Sequence, residues 1–179
     1  NAAFDAAYTP FVVNHGGLVV FAAGNDSQAN PSTIATLPTV AKDSSLEKGW
    51  LVAVALNSNS PTQLESYSNK CGIAMNYCLA APGDVIVLDK NTTSSTANPT
   101  YYIVEGTSFA APIVSGAAAL VWQAYPYFSN DLVRQTLLGT ATPLGDKQPN
   151  PTFGYGALNV GAAVNGPQQF KWGDVEVGF

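Results

Sequence analysis

Two uninterrupted apolar runs constrain the fold of this chain more than any other feature of its sequence. Residues 18–23 and residues 50–56 are of strand length, begin after glycines and show no alternation of polar and apolar side chains. This pattern is typical of strands buried on both faces, as in a parallel sheet covered by helices. Segments with helical apolar spacing alternate with the runs, so the sequence predicts an α/β fold with a mostly parallel sheet flanked by helices.

The remaining helices, strands and loops are predicted from the spacing of apolar residues and from capping and turn-forming residues. A third buried strand is predicted at 84–88 and a short strand at 101–104, with loops at 26–45 and 91–100. Helices are predicted at 2–14, 109–122 and 157–164, and another begins after Ser129 as N-cap and ends before Gly139. Pro10 interrupts the first helix, whose regular part could instead start with Thr9 as N-cap. Residues 1–165 form one predicted domain, incomplete in this chain, and 166–179 form a connector or tail without periodicity.

Charge excludes several classes of function. Charged residues make up 11% of the 179 residues, with a net charge of −5 and seven scattered positive side chains. This is far below the roughly 25% of an average soluble domain, and no basic footprint for nucleic acid is present. No transmembrane segment is expected, because Ser115 and Gly116 interrupt the apolar stretch at 113–121 and it falls short of about 20 residues.

Cys71 and Cys78 are seven residues apart in a segment rich in turn-forming residues. A turn could bring their Cα atoms within bridging range, which favours a disulfide and a location outside the cytosol. Two reduced buried thiols remain the alternative. A zinc site is improbable without a second pair of ligands, so no metal or cofactor is predicted.

Ser108 lies in the segment Glu-Gly-Thr-Ser-Phe-Ala-Ala-Pro at 105–112, between a predicted strand and a predicted helix. Pro112 is expected near a first helical turn, which places Ser108 at a helix N-terminus. Unpaired N–H groups there favour an oxygen nucleophile and an oxyanion. The segment could equally be an ordinary N-cap. It is not the nucleophile elbow of α/β-hydrolases, because Ala110 stands where that motif has glycine, and no histidine follows Ser108 as a lipase-like esterase would require.

Asn25 follows Ala22, Ala23 and Gly24 at the end of the first apolar run. The carboxyl ends of parallel strands form the edge where open α/β sheets bind ligands. An asparagine amide there could donate to a developing oxyanion, although Gly-Asn by itself is also a common turn.

Taken together, residues 19–26 and 105–116 resemble the oxyanion-asparagine and nucleophile-serine segments of the subtilisin-like serine proteases, the subtilases. Later landmarks at 51–56, 80–83 and 153–160 follow in the family's order, and the resemblance covers about residues 1–165. It implies a serine endopeptidase that forms an acyl-enzyme on Ser108, with Asn25 and the Ser108 N–H as the oxyanion hole. Ala22, Ala23 and Gly24 would line one wall of a substrate pocket, with Asp26 near its rim.

The resemblance also has gaps. The family's catalytic Asp and His precede the serine in the chain, but the single histidine, His15, and the early Asp5 do not match those positions. The chain alone is therefore expected to be inactive and to need an N-terminal segment of the same protease that carries Asp and His. The alternative is an inactive cleaved or degenerate fragment that acts as a binding or structural module. No acidic cluster supports the structural calcium common in the family.

A narrower resemblance links the chain to the subtilase passengers of bacterial autotransporters. It rests on the Cys71 to Cys78 loop and on the stretches at 121–126, 165–167 and 170–174. It implies an extracellular or cell-surface protein that acts on polypeptide substrates.

Overall fold

A three-stranded parallel sheet forms the centre of the computed structural model, which describes residues 2–93, 95, 97–166, 169–172 and 175–178. The strands are β1 (Val19–Ala22), β2 (Trp50–Leu56) and β3 (Cys78–Pro82), in the order β1-β2-β3. Val20 pairs with Leu51, and Ala53 pairs with Leu79. The predicted α/β fold with a parallel sheet is therefore confirmed.

Strand β2 divides the core into two layers. All seven of its residues are buried, and successive side chains point to opposite faces. Trp50, Val52 and Val54 join one apolar cluster, whereas Leu51 and Ala53 join the other. This two-sided burial explains why β2 shows no polar alternation in the sequence.

Six α-helices cover this sheet and its ends in the described residues. They are α1 (Ala2–Thr9), α2 (Leu37–Ala41), α3 (Ser44–Glu47), α4 (Thr107–Ala124), α5 (Asn130–Gly139) and α6 (Val160–Val164). Helix α1 continues into a π-helical turn at Pro10–Asn14, and a 3-10 helix spans Gly72–Tyr77. Helices α4, α5 and α6 supply the apolar cluster that contains Leu51.

Three details of the first helix and of the later helices differ from expectation. Thr9 does not cap a helix start, because its hydroxyl donates to the Asp5 carbonyl at 2.8 Å and α1 runs into the π turn. Helix α5 includes Gly139, although its predicted N-cap is confirmed by the bond from the Leu132 N–H to Ser129 at 3.2 Å. Helix α6 is shorter than predicted and begins after Asn159, whose side chain caps it.

The predicted loop at 26–45 is wrong in its second half, where α2 and α3 lie. Both helices are only four or five residues long, too short to show helical apolar spacing in the sequence. Asp43 starts α3 by accepting from the N–H groups of Ser45 and Leu46, at 2.9 and 3.2 Å. Strand β3 was not predicted, because the run is only five residues and ends in Pro82.

The third buried strand predicted at 84–88 is not buried. Strand β4 (Asp84–Leu88) pairs antiparallel with β5 (Tyr101–Glu105) in a separate two-stranded ribbon. Ile86 is 72% exposed and Ile103 is 70% exposed. The apolar composition of β4 therefore marks an exposed surface of this chain rather than a strand of the central sheet.

Helix α4 is buried on one face only. Its six buried residues include Ala110, Val114 and Val121, while Leu120 on the other side is 47% exposed. Its alanines allow close approach to β1, β2 and β3. Among the described residues it alone is long and apolar enough to cross a membrane by length and composition, a test that core helices of soluble proteins also pass.

The disulfide is present, and the predicted tail at 166–179 contains a hairpin within its described residues, which are 166, 169–172 and 175–178. Cys71 and Cys78 are bonded, with their Cα atoms 5.8 Å apart and both side chains fully buried. In the predicted tail, β6 (Gln169–Trp172) pairs antiparallel with β7 (Val175–Gly178). The absence of periodicity after Gly166 therefore did not reveal this hairpin, and the role of 166–179 as a connector stays a prediction.

Candidate active site

The carboxyl edge of the sheet brings together the two segments singled out in the sequence. The N–H of Ala23 continues the β1 ladder to the Ala53 carbonyl at 3.0 Å, and Gly24 and Asn25 then turn away from the sheet. The chain between β5 and α4 reaches the same edge, because the Gly106 N–H donates to the Gly83 carbonyl at 3.0 Å. The start of α4 therefore lies beside the turn that carries Asn25.

Thr107 joins these two segments directly. Its backbone N–H and its hydroxyl donate to Asn25 Oδ1, at 2.9 and 2.8 Å. The same hydroxyl accepts from the Gly24 N–H at 3.1 Å. Thr107 is fully buried whereas Asn25 is exposed, so these three hydrogen bonds are partly buried. They fix the residue before Ser108 to the residue before Asn25 and to Asn25 itself.

This network also determines which way the Asn25 amide points. A backbone N–H can only donate, so the atom facing Thr107 must be the carboxamide oxygen. The Asn25 Nδ2 group then lies at the other end of the exposed side chain, near Gly106. A Cβ at Gly106, where φ is +153°, would lie 3.4 Å from that nitrogen. Glycine therefore keeps the space beside the amide donor open.

Ser108 is exposed and is the second residue of α4. An N–H in the first helical turn has no i−4 carbonyl within the helix, so that of Ser108 is directed beyond the N-terminus. The predicted helix start near Ser108 is confirmed. Pro112, however, is the sixth residue of α4 rather than part of its first turn, and its missing N–H leaves the Ser108 carbonyl without its usual i+4 donor.

The predicted pocket wall lies along the same turn. Ala22 and Gly24 are half-buried, whereas Ala23 is fully buried and Asp26 is exposed. Gly24 has φ of +110°, and a Cβ there would lie 3.8 Å from Asp26 Oδ2. The Asp26 carboxylate thus borders the backbone of Gly24. The pocket-lining role of Ala22, Ala23 and Gly24 stays a prediction.

Asp84 and Glu65 lie near Gly83, whose carbonyl accepts the hydrogen bond from the Gly106 N–H. Burial, together with the charge of Asp84, raises the pKa of Tyr67 to about 12. The Tyr67 hydroxyl lies 3.4 Å from both the Gly83 carbonyl and Asp84 Oδ1. Burial also raises the pKa of Glu65, and the neighbouring Asp84 adds to this through a hydrogen bond and its charge. Among the described residues no group of three or more His, Cys, Asp or Glu side chains could hold a metal ion.

His15 lies at the other end of β1 from this site. It is the C-cap of the π turn, with its N–H bonded to the Pro10 carbonyl at 3.1 Å. Gly16 follows with φ of +65°, as expected at a helix end. His15 precedes the amino end of β1, whereas Asn25 follows the carboxyl end, and the strand itself separates these ends by about 10 Å. The structure does not bring His15 to Ser108.

Comparison with known proteins assigns the family. The family model described as "Subtilase family" matches residues 3–156. The chain belongs to the subtilase family. The subtilase chain is 40% identical over 159 residues to Serotype-specific antigen 1 of Mannheimia haemolytica, which covers 88% of this chain and 16% of that protein. It is also 40% identical over 173 residues to the Neisserial autotransporter lipoprotein NalP of Neisseria meningitidis serogroup B, covering 90% of this chain and 15% of NalP.

A solved structure shows the same fold. The prenylagaramide maturation protease PagA superposes with a TM-score of 0.69 and 24% identity, over 92% of this chain and 55% of PagA. The subtilase chain thus spans about one sixth of the length of the two curated relatives. The predicted membership of the family, with autotransporter proteins among the relatives, is confirmed.

Two residues of this site were not predicted from the sequence. Thr107 lies in a segment that could be an ordinary N-cap, yet it binds both Gly24 and Asn25. Asn69 lies beside the turn-rich segment of Cys71 and Cys78, yet its buried side chain binds the Asn25 turn. Adjacency to Ser108 could have drawn attention to Thr107. Nothing in the sequence could have found Asn69, which lies 46 residues from Ala23.

Proposed function

We propose that this chain carries the nucleophile and the oxyanion donors of a serine endopeptidase. One observation supports this most strongly: Thr107 binds the Asn25 oxygen, so the Asn25 amide N–H₂ group is exposed next to the helix start that carries Ser108. A preorganised donor beside a nucleophile is the arrangement that stabilises the oxyanion of acyl transfer. Membership of the subtilase family supports the same reaction.

In this mechanism the Ser108 oxygen attacks the carbonyl carbon of a peptide bond while a base takes its proton. The negative charge that develops on the carbonyl oxygen accepts hydrogen bonds from Asn25 Nδ2 and the Ser108 N–H. The C–N bond then breaks as the protonated base gives its proton to the leaving amine. Water attacks the resulting ester on Ser108 while its proton passes to the base. The ester bond then breaks as the base gives this proton to the serine oxygen, which releases the acid and restores the serine.

The base comes from a complementary N-terminal segment of the same protease that carries Asp and His. His15, the sole histidine of the sequence, lies beyond the opposite end of β1 and is not within reach of Ser108. Two surfaces support a partner segment. Strand β1 pairs with β2 along one edge and has no second partner strand among the described residues, and the β4–β5 ribbon exposes Ile86 and Ile103. Exposed apolar patches of this kind mark interaction sites.

The substrate is a polypeptide, and the protein acts outside the cytosol. The exposed Asp26 carboxylate beside Gly24 would favour a basic or polar substrate side chain next to the scissile bond. The disulfide between Cys71 and Cys78 supports an oxidising location. An autotransporter lipoprotein among the relatives supports export to the cell surface or beyond.

Labelling with a fluorophosphonate tests this function in the full-length protein. The Ser108 oxygen would bond to phosphorus, fluoride would leave, and the proton would pass to the base. The expected adduct, located by mass spectrometry, is on Ser108, and Ser108→Ala abolishes both labelling and peptide hydrolysis. Ser115→Ala is the matched control, because Ser115 is an exposed serine of the same helix whose hydroxyl donates to the Ala111 carbonyl.

The alternative is an inactive module that binds a partner through its exposed apolar surfaces, of which the β4–β5 ribbon is the largest contributor named above. In that case the folded full-length protein would not be labelled at Ser108. Under the proposed function, Asn25→Ala should lower kcat by about a hundredfold or more, the size typical of removing such a donor in subtilisin, a member of this family, rather than a value worked from this structure. An unaltered rate would remove Asn25 from the mechanism.

A further inference from the structure

Asn69 is a buried asparagine whose side chain forms all three of its described hydrogen bonds with the turn around Asn25. It is 2% exposed and follows β2 in the chain. Its Nδ2 donates to the Ala23 carbonyl at 3.0 Å, and its Oδ1 accepts from the N–H groups of Asp26 and Gln28 at 3.0 and 2.9 Å. Bonds therefore reach the residues on both sides of Asn25.

The backbone of Asn69 adds a fourth bond to the same turn. Its N–H donates to the Gly24 carbonyl at 2.9 Å. A Cβ at Gly24 would lie only 2.5 Å from Asn69 Nδ2, so the absence of a side chain at position 24 allows this approach. Gly24 has φ of +110°, and Ser27 has φ of 54°. The turn thus combines two left-handed residues, which need outside contacts to select one conformation.

Asn69 is itself held to the centre of the molecule. The hydroxyl of the neighbouring Ser68 accepts from the Ala55 N–H of β2 at 3.0 Å and donates to the Asn69 carbonyl at 2.9 Å. Ser68 is also buried, at 5% exposure. Ser68 and Asn69 therefore connect the Asn25 turn to the fully buried strand β2 by hydrogen bonds. The bonds with Thr107 hold the same turn from the other side.

We infer that Asn69 is a positioning residue for the oxyanion donor. This inference rests on the proposed function. Asn69 touches neither substrate nor Ser108; it acts through Asn25, by holding Gly24 and Asp26 so that the amide N–H₂ group stays where the oxyanion forms. A displacement of about 1 Å in such a donor can lower a rate by tens of fold.

The first test compares Asn69→Ser with a matched control in the full-length enzyme. Serine cannot span the turn, so kcat should fall about tenfold while KM changes by less than about threefold. Asn150→Ser is the control. Asn150 also accepts two N–H groups, from Thr152 and Phe153, and its Nδ2 donates to two carbonyls, one more than that of Asn69. Asn150 is half-buried and lies in the loop between α5 and α6. It should lower stability and leave kcat unchanged.

A double-mutant cycle with Asn25→Ala separates positioning from general destabilisation. If Asn69 acts through Asn25, then Asn69→Ser should have almost no further effect on kcat once Asn25 is alanine. Additive effects on kcat would overturn the inference. So would an unchanged kcat for Asn69→Ser, or equal losses of kcat for Asn69→Ser and Asn150→Ser.

A second variant guards against loss of folding. Asn69→Asp keeps the acceptor for the Asp26 and Gln28 N–H groups, but it replaces the donor to Ala23 with an oxygen that repels the Ala23 carbonyl and adds a negative charge, so it should lower kcat as well. If neither variant folds, Asn69 serves folding and the inference is wrong. If Ser108→Ala and Asn25→Ala also leave hydrolysis intact, the proposed function itself fails; if those two abolish or reduce it while Asn69→Ser does not, only the inference fails.

Discussion

Replacing Thr107 with valine tests the link between Asn25 and the start of α4. Valine keeps the branched shape of this fully buried side chain and removes only its hydroxyl. Two hydrogen bonds are lost, the one accepted from the Gly24 N–H at 3.1 Å and the one donated to Asn25 Oδ1 at 2.8 Å. The bond from the Thr107 backbone N–H to Asn25 remains.

The expected cost can be worked from these two bonds. Leaving the Gly24 N–H without an acceptor costs about 1–3 kcal/mol, and the lost bond to Asn25 costs about 0.5–1.5 kcal/mol. The free energy of unfolding should therefore fall by about 1.5–4.5 kcal/mol. The Asn25 amide keeps one of its two anchors, so kcat should fall about tenfold, less than on removing the amide.

Urea unfolding and steady-state kinetics of the full-length enzyme measure the two quantities, with Thr107→Ser as the control. Serine keeps the hydroxyl and loses one methyl group, which costs about 0.8 kcal/mol and should leave kcat near that of the wild type. A valine variant with unchanged stability and kcat would refute the reasoning. So would a serine variant as impaired in kcat as the valine variant, because the methyl group rather than the hydroxyl would then matter.

Two further predictions concern stability near the site. Replacing Cys71 and Cys78 together with alanine should lower the free energy of unfolding by about 2–3 kcal/mol, from a loop closed over a sequence separation of 7; an unchanged urea midpoint would contradict this. Glu65→Gln should stabilise the protein at pH 7, because burial, then Asp84, raise the pKa of Glu65 above 4.5. A raised carboxyl pKa stabilises the folded state below pH 4.5, and this contribution is lost as pH rises through the folded-state pKa. The gain in the free energy of unfolding of Glu65→Gln should therefore disappear near pH 4. A gain that does not change with pH would show that the raised pKa of Glu65 is not its cause.

The sequence predicted the central strands β1 and β2, but not β3, because an uninterrupted apolar run is a purely local mark. Strand β1, predicted to be buried on both faces, is half-buried in this chain, whereas β2 is fully buried. In β2 every residue from Trp50 to Leu56 must be apolar, so the run is visible without knowing its neighbours. The same holds for Ser108, which is placed at a helix start by its local context, and for Asn25, which is placed at a strand end. The strands, the helix start at Ser108 and the strand end at Asn25 were predicted from the spacing of apolar residues and from helix- and strand-ending residues, and these placements were confirmed.

The sequence could not predict features that depend on distant partners. Strand β4 is as apolar as a core strand, but its partner is β5 rather than the central sheet, so its side chains are exposed. The short helices α2 and α3 lack the length for an apolar period to appear. Asn69 binds Asp26 across 43 residues and Thr107 binds Gly24 across 83 residues, which no local pattern encodes.

These long-range bonds bear on how an active enzyme could be assembled. Thr107 binds Asn25 on one side, and Asn69 binds the residues that flank Asn25 on the other. Under the proposed function, these bonds hold the oxyanion donor in place, so that it does not have to reorganise as the transition-state charge develops. The complementary segment would then supply the Asp and the His beside Ser108 and cover exposed apolar surface.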